Sequence, residues 1–330
     1  VAKAALQGGA SSLGVATLQE AIELREKGLI CPILILGNLT QVEELGACFD
    51  WDLMPTISGM REALLCQNIA DQSGKKFKLH LKVDTGMARL GCDLCEAGNI
   101  IKAINACENI DLQGIYSHLA LADAPLAAGP EFDKVTQIQQ KRFECLIRNC
   151  SSTNKSICFH LANSAGIFRS HSLHYNMVRV GLSLYGYNPI SDSEVDLKLQ
   201  PAMTVKARVS LIRNVPPSTG VGYGHIFKTK RNTRLAIVGI GYADGVSRAL
   251  SGKIFALYQG VLIPQVGAIA MDQMAIDISN VPQMKVGDVV TILGKEGDQQ
   301  ITPHAWSHLS GSIPWEVLCG FKNRLSRLII

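Results

Sequence analysis

The stretch KLHLKVDTGMARLG (78–91) decides how the first part of the chain folds. Its first seven residues alternate. Leu79, Leu81 and Val83 fall on one side, and His80, Lys82 and Asp84 on the other, as successive side chains of a strand do. The apolar side is expected to pack on helices and the polar side to look into a barrel. The strand then gives way to DTGMARLG, which carries Arg89 to the C-terminal end, the rim where parallel α/β barrels gather their active sites. By spacing alone Lys82 and Asp84 also read as a buried ion pair, because lysine is seldom buried without a partner.

Six further runs have the character of strands: SSLGVA (11–16), CPILILG (31–37), DLMPTIS (52–58), DLQGIYSH (111–118), SICFHLA (156–162) and YNMVRVG (175–181). Helical patterns lie between them. One starts with Thr17 and Glu20 in capping-box spacing and stops at Gly28. Others begin near Gln41, end near Ala70, and fill 130–150. The chain opens on the helix-like VAKAALQGGA, with Val rather than Met at position 1. The βα rhythm predicts a parallel sheet. Such sheets close as (β/α)8 barrels, so seven strands after a leading helix predict a TIM-like barrel whose first strand is missing.

The texture changes past residue 195. MTVKARVSLI, TRLAIVGIGY, KIFALYQGVLIPQVGAIAMDQMAIDI and GDVVTILG are β-rich and broken by Gly, Pro and Asn. The polar SDSEVD (191–196) marks the boundary. Residues 1–194 are therefore read as an incomplete α/β barrel and 195–330 as a separate all-β domain, with no internal repeat.

Of 330 residues, 47% are hydrophobic and 18% charged, the balance of a folded soluble chain. The net charge of +4 is spread without a Lys/Arg block, which argues against nucleic acid and leaves room for an anionic small molecule. No apolar run reaches the roughly 18 residues that a membrane span needs, and no signal peptide is visible. Ten cysteines, mostly within apolar runs, suit a reducing compartment, so a cytoplasmic protein without a membrane partner is expected. Cys92 and Cys95 form a C-x-x-C with no second pair, so no metal site is expected.

Four expected strand ends finish in polar groups: Lys82 with Arg89; His118; His160 followed by Asn163 and Ser164; and Arg179 followed by Gly181 and Leu182. A single histidine at a strand end is usually a satisfied core residue. Four polar ends on one rim describe a pocket for an anion, with Ser164 and the backbone at Gly181 and Leu182 as a phosphate cradle. In the β part, GIGYADG (239–245) reads as a glycine-rich turn whose Tyr242 is an acid–base candidate, although an ordinary phenol titrates near ~10. VGAIAMDQ (266–273) reads as a strand turning at Asp272. The residues by themselves lead to a phosphate-containing ligand on a barrel rim.

These same stretches bring the chain close to a known family. KVDTGMARLG, YSHLA, HLANSAG, NMVRVGLSLYG, GYADGVSR, AMDQ and PWEVLCG resemble, in order and rough spacing, the motifs of alanine racemases. The resemblance covers essentially the whole chain. It implies a pyridoxal 5'-phosphate enzyme that interconverts L- and D-alanine, supplying D-alanine for peptidoglycan, and a homodimer whose sites are shared between subunits. It implies that Tyr242 is the base on the L-alanine face, with His118 beside it. Arg89 and the backbone at Met271 would hold the substrate carboxylate, and a carbamylated Lys82 would fix Arg89. Asn163, Ser164, Gly181 and Leu182 would surround the cofactor phosphate, and Arg179 would donate to its pyridine nitrogen.

Three departures stand out. A Schiff-base lysine in a motif like VVKANAYGHG does not occur in residues 1–330, so the chain as written is expected to be N-terminally truncated and inactive. Trp315 stands where relatives commonly carry tyrosine, and Ala270 where they often carry cysteine. Rival readings are a racemase of another amino acid, an inactive fragment, a barrel-type decarboxylase, whose pyridine partner would be an acid rather than Arg179, and a cofactor carrier, which would lack the β domain.

Overall fold

The computed structural model describes residues 1–124, 130–150, 157–190 and 197–329, and the chain divides into two compact units, Val1–Leu199 and Gln200–Ile330. The expected linker SDSEVD lies outside the described residues.

The first unit opens with helix α1 (Ala2–Gln7) and then alternates strand and helix: β1 (Leu13–Val15), α2 (Leu18–Glu26), β2 (Ile33–Asn38), α3 (Val42–Asp50), β3 (Met54–Ile57), α4 (Met60–Ser73), β4 (Phe77–Lys82), α5 (Leu94–Ala106), β5 (Ile110–Tyr116), α6 (Pro130–Cys150), β6 (Cys158–His160) and α7 (Ser164–Arg169). The strands pair in sequence order and in parallel, β1 to β6. The capping box at α2 is present: Thr17 accepts from Glu20 N, and Glu20 reaches back to Thr17 N.

The two faces of β4 behave as its alternation predicts. Leu79, Leu81 and Val83 are fully buried in the cluster that also holds Leu45 and Cys66 of the covering helices. His80 and Lys82 share the other face with Thr56, Tyr116 and His160, and this face is buried as well.

Two expectations fail. YNMVRVG (175–181) is not a strand, so among the described residues six strands stand where seven were expected. Tyr175 takes a left-handed φ of +49°, and the segment touches the β6 stretch through Asn176 N to Phe159 O (3.0 Å) and Arg179 N to Ala162 O (2.9 Å). Those bonds step by three residues, whereas a ladder repeats every two. The ion pair between Lys82 and Asp84 is also absent among the described residues. Asp84 instead accepts from the amides of Gly86 (2.7 Å), Met87 (2.8 Å) and Ala88 (2.8 Å), because those donors follow it directly in the turn.

The second unit is antiparallel. Its strands are β7 (Val205–Val215), β8 (Gly220–Val221), β9 (Phe227–Lys228), β10 (Thr233–Val238), β11 (Phe255–Tyr258), β12 (Val261–Val266), β13 (Met274–Asp277), β14 (Val289–Glu296) and β15 (Gln299–Ile301), followed by the short helices α8 (Pro303–Ser310) and α9 (Pro314–Gly320). The main sheet runs β11-β12-β13-β10-β7-β14-β15, and a further pairing of β11 with β14 closes it on itself. Closure leaves few free strand edges. β8 and β9 form a separate hairpin.

Candidate active site

In the first unit the site is assembled by register. Lys82 lies opposite Tyr116, and Tyr116 opposite His160, across β4, β5 and β6. One row below, His80 lies opposite Gly114. A side chain at 114 would place a Cβ 2.5 Å from the His80 ring, so the glycine leaves the space through which His80 Nδ1 reaches His160 Nε2 at 3.0 Å.

Arg179 is the hub. Its Nη1 donates to His160 Nδ1 (2.9 Å) and His160 O (3.2 Å), and its Nη2 to Ser117 O (2.7 Å), Leu161 O (3.2 Å) and His118 Nδ1 (3.3 Å). An arginine can only donate. Nδ1 of both histidines is therefore the acceptor, and each carries its proton on Nε2. His160 then donates a hydrogen bond from Nε2–H to His80 Nδ1.

The charge states follow. Burial, helped by the Arg179 charge, lowers His80 to about 4. Burial and then Arg179, Arg89 and Lys82 lower His118 to about 3. His160 is lowered in the same way by burial, Arg179 and His80. All three are neutral near pH 7. Burial also lowers Lys82 to about 8, with Arg89 and Arg179 adding to the effect. No ion pair to Lys82 exists among the described residues, and its Nζ lies 5.4 Å from the Tyr116 ring centroid. Tyr116 stacks on His160 and binds Thr56 Oγ1 through its hydroxyl at 2.8 Å.

The remaining rim groups are placed by turns. Arg89 is exposed, on the loop that Asp84 folds through three amides. Asn163 caps α7 by accepting from Gly166 N at 2.9 Å. Ser164 Oγ accepts from Gly181 N (2.8 Å) and Ser183 N (3.4 Å), which draws those amides, with Leu182 between them, around one hydroxyl. The buried Gln139 on α6 ties two of these loops, donating to Thr85 Oγ1 (3.2 Å) and His118 O (2.9 Å). Gln139, Thr56 and Tyr116 were not singled out in the sequence, since nothing local marks them.

In the second unit Tyr242 sits on a single turn, Tyr242–Asp244, and is 43% exposed. Its amide donates to Ala270 O (3.0 Å), and that of Ala243 to Met271 O (3.0 Å). The turn at Asp272 is thus docked on the GYADG turn, with Met271 exposed. Residue 270 contributes its carbonyl, so alanine serves there as well as cysteine would. Trp315 is half-buried at the start of α9.

A second phenol stands in this unit. Tyr223 is 70% exposed on the turn between β8 and β9, flanked by Gly222 (φ +69°) and Gly224 (φ +68°). An ideal Cβ on Gly222 would lie 3.3 Å from Ala268 O, so this turn also packs near the 266–273 run. The signal was available as VGYGHIF: a tyrosine between two glycines, itself between two apolar runs.

The first unit carries a half-buried cationic hub and a polar rim, and the second presents two exposed phenols on turns, the outline of a two-domain enzyme. The family model for the alanine racemase N-terminal domain matches residues 1–189, and that for the C-terminal domain residues 202–329. An alanine racemase of Prochlorococcus marinus is 57% identical over 100% of this chain and 85% of its own length. One of Synechocystis sp. is 45% identical over 100% of this chain and 87% of its own. A solved alanine racemase of Clostridium difficile superposes with a TM-score of 0.88 at 34% identity, covering 98% of this chain and 82% of that one. The chain belongs to the alanine racemase family.

Proposed function

We propose that the protein interconverts L- and D-alanine with pyridoxal 5'-phosphate, in a homodimer that shares its sites. The observation that carries the reading is Arg179, a fixed cation among neutral histidines on a rim that also holds Arg89 and the Ser164 cradle. When bound, the cofactor supplies an electron-withdrawing system that lets the α-proton of an amino acid leave. The residues present fit such a group. Ser164 with the amides of Gly181 and Leu182 suits its phosphate, with Asn163 holding that turn. Arg179 suits the pyridine nitrogen and keeps it unprotonated, because a guanidinium, lowered by burial only to about 10, does not give up its proton near pH 7.

Arg89 and the backbone at Met271 hold the substrate carboxylate. Lys82 as a neutral amine, which its lowered pKa favours, adds through its nitrogen to carbon dioxide and gives up one N–H proton to water, and the carbamate anion steadies Arg89. A phenol of the β unit moves the proton on the L-alanine face, with neutral His118 on the barrel side. Tyr242 is the phenol that the resemblance implies. Tyr223 suits the role better by geometry, being the more exposed and projected by two left-handed glycines. Exposure of both phenols and of Met271 leaves them available to a second copy. No helix among the described residues is long and apolar enough to cross a membrane.

The test is D-alanine formation from L-alanine by the full-length protein with its cofactor, followed in deuterated water. D-alanine labelled at the α-carbon is the expected product. Labelled racemisation of another amino acid in preference to alanine would replace the substrate. No labelling of any amino acid would remove the reading. Bicarbonate depletion should lower alanine affinity if Lys82 is carbamylated.

A further inference from the structure

Arg324 lies in the segment after α9, and its guanidinium joins two carboxylates from different turns. Nη2 donates to Asp272 Oδ1 at 2.5 Å, and Nε faces Asp244 Oδ1 at 3.4 Å. Asp244 is buried, and its other oxygen accepts from Gly241 N at 2.9 Å. Asp244 belongs to the Tyr242 turn, and Asp272 directly follows Met271. The two turns already touch through the backbone pairs Tyr242 N to Ala270 O and Ala243 N to Met271 O. Arg324 is the third tie between them and supplies the positive charge beside two aspartates.

We propose that Arg324 is a positioning residue for the substrate carboxylate, fixing the Met271 turn against the Tyr242 turn and cancelling the Asp272 charge beside the Met271 backbone. This rests on the proposed reading of Met271 as a carboxylate holder. Without Arg324, Asp272 would stand as an uncompensated anion next to the amide meant for another anion. A like charge a few ångströms away across a wet surface weakens binding by about five-fold. The bridge contributes little to stability, since Arg324 and Asp272 are about half exposed.

The experiment uses the full-length holoenzyme with Arg324→Gln, Arg324→Lys and the pair Arg324→Gln with Asp272→Asn. Arg324→Gln should raise KM for alanine about five-fold and leave kcat within about two-fold, the pattern of lost ground-state binding. Adding Asp272→Asn should bring KM most of the way back, which loss of structure alone would not allow. Arg324→Lys keeps the charge without the fork and should raise KM less.

Hydrogen exchange at the Tyr242 and Ala243 amides gives a readout independent of turnover, and it should quicken in Arg324→Gln. Unchanged exchange together with unchanged KM would overturn the proposal. A KM rise that Asp272→Asn does not relieve would overturn its electrostatic part. Failure of the wild-type enzyme to racemise alanine would remove the functional reading while the exchange data still judge the clamp. If Arg324→Gln does not fold, the Lys variant decides.

Discussion

The candidate machinery of the sheet unit and that of the closed β unit are built on different physical plans. Lys82, Tyr116 and His160 are buried, Arg179 is partly so, and nearly every polar atom around them answers another. Tyr223, Tyr242 and Met271 stand exposed on turns, the latter two tied through their backbones. In the first plan burial sets the charge state, and replacing a residue disturbs both fold and chemistry. In the second the fold does not depend on the functional side chain, and replacement touches chemistry alone.

The largest effect that sharpens this contrast is expected from Tyr223→Phe in the full-length enzyme. Removing a proton-moving phenol should slow racemisation by about 10²–10⁴-fold, while the thermal midpoint stays put. Tyr242→Phe should slow it less. A collapsed midpoint in Tyr223→Phe would break the comparison, and a larger loss in Tyr242→Phe would return the role to Tyr242.

Arg179→Leu should do the opposite and destabilise. It strips partners from His118, His160 and the carbonyls of Ser117 and Leu161. Leaving several buried polar atoms unanswered costs about 3 kcal/mol or more, read as a lower urea midpoint. A variant as stable as the wild type would show that the hub is not structural.

The pH dependence comes next. His80 and His118 are lowered to about 4 and 3, whereas unfolded histidine titrates near ~6.5. The unfolded chain therefore binds more protons than the folded one between those values. Stability contributed by the neutral histidines is present above pH ~6.5 and is lost as pH falls toward 4, by roughly 1.4 kcal/mol per unit for each. Denaturant titrations from pH 7 to 4.5 should show that slope, and His80→Asn should reduce it. A flat profile would mean that these rings take up protons in the fold as readily as in the unfolded chain. The smallest change is expected from Thr56→Val, which removes the Tyr116 hydroxyl's partner and should cost about 1 kcal/mol by the same titration.

The sequence disclosed much of this where the physics is local. The alternation of β4, the capping box at Thr17 and the turn of Asn163 and Ser164 depend on neighbours within a few residues. YNMVRVG was misread because its apolar pattern cannot distinguish a ladder that repeats every two residues from a segment bonded every three. Asp84 was offered Lys82 as a partner, but three adjacent amides are closer and already aligned. The bond from His80 to His160 spans 80 residues and depends on the missing side chain at Gly114, which no pattern within β4 displays. Tyr223 was not singled out, although VGYGHIF sets a tyrosine between two glycines, because its exposure on the turn shows only in the fold.

The line from Arg179 through His160 to His80 has a spectroscopic consequence. Its direction is fixed by a donor that cannot reverse, so each imidazole is locked in a single tautomer. Nitrogen resonances of histidine report tautomer and hydrogen-bond strength directly. His80 at the far end lies one row below Lys82 and needs no substitution to be observed. Selective ¹⁵N labelling of histidine would therefore turn it into a gauge: any group that draws on the Arg179 guanidinium should shift the His80 Nδ1 signal, and occupancy of the rim could be followed from a buried ring one row deeper on the same face of the sheet.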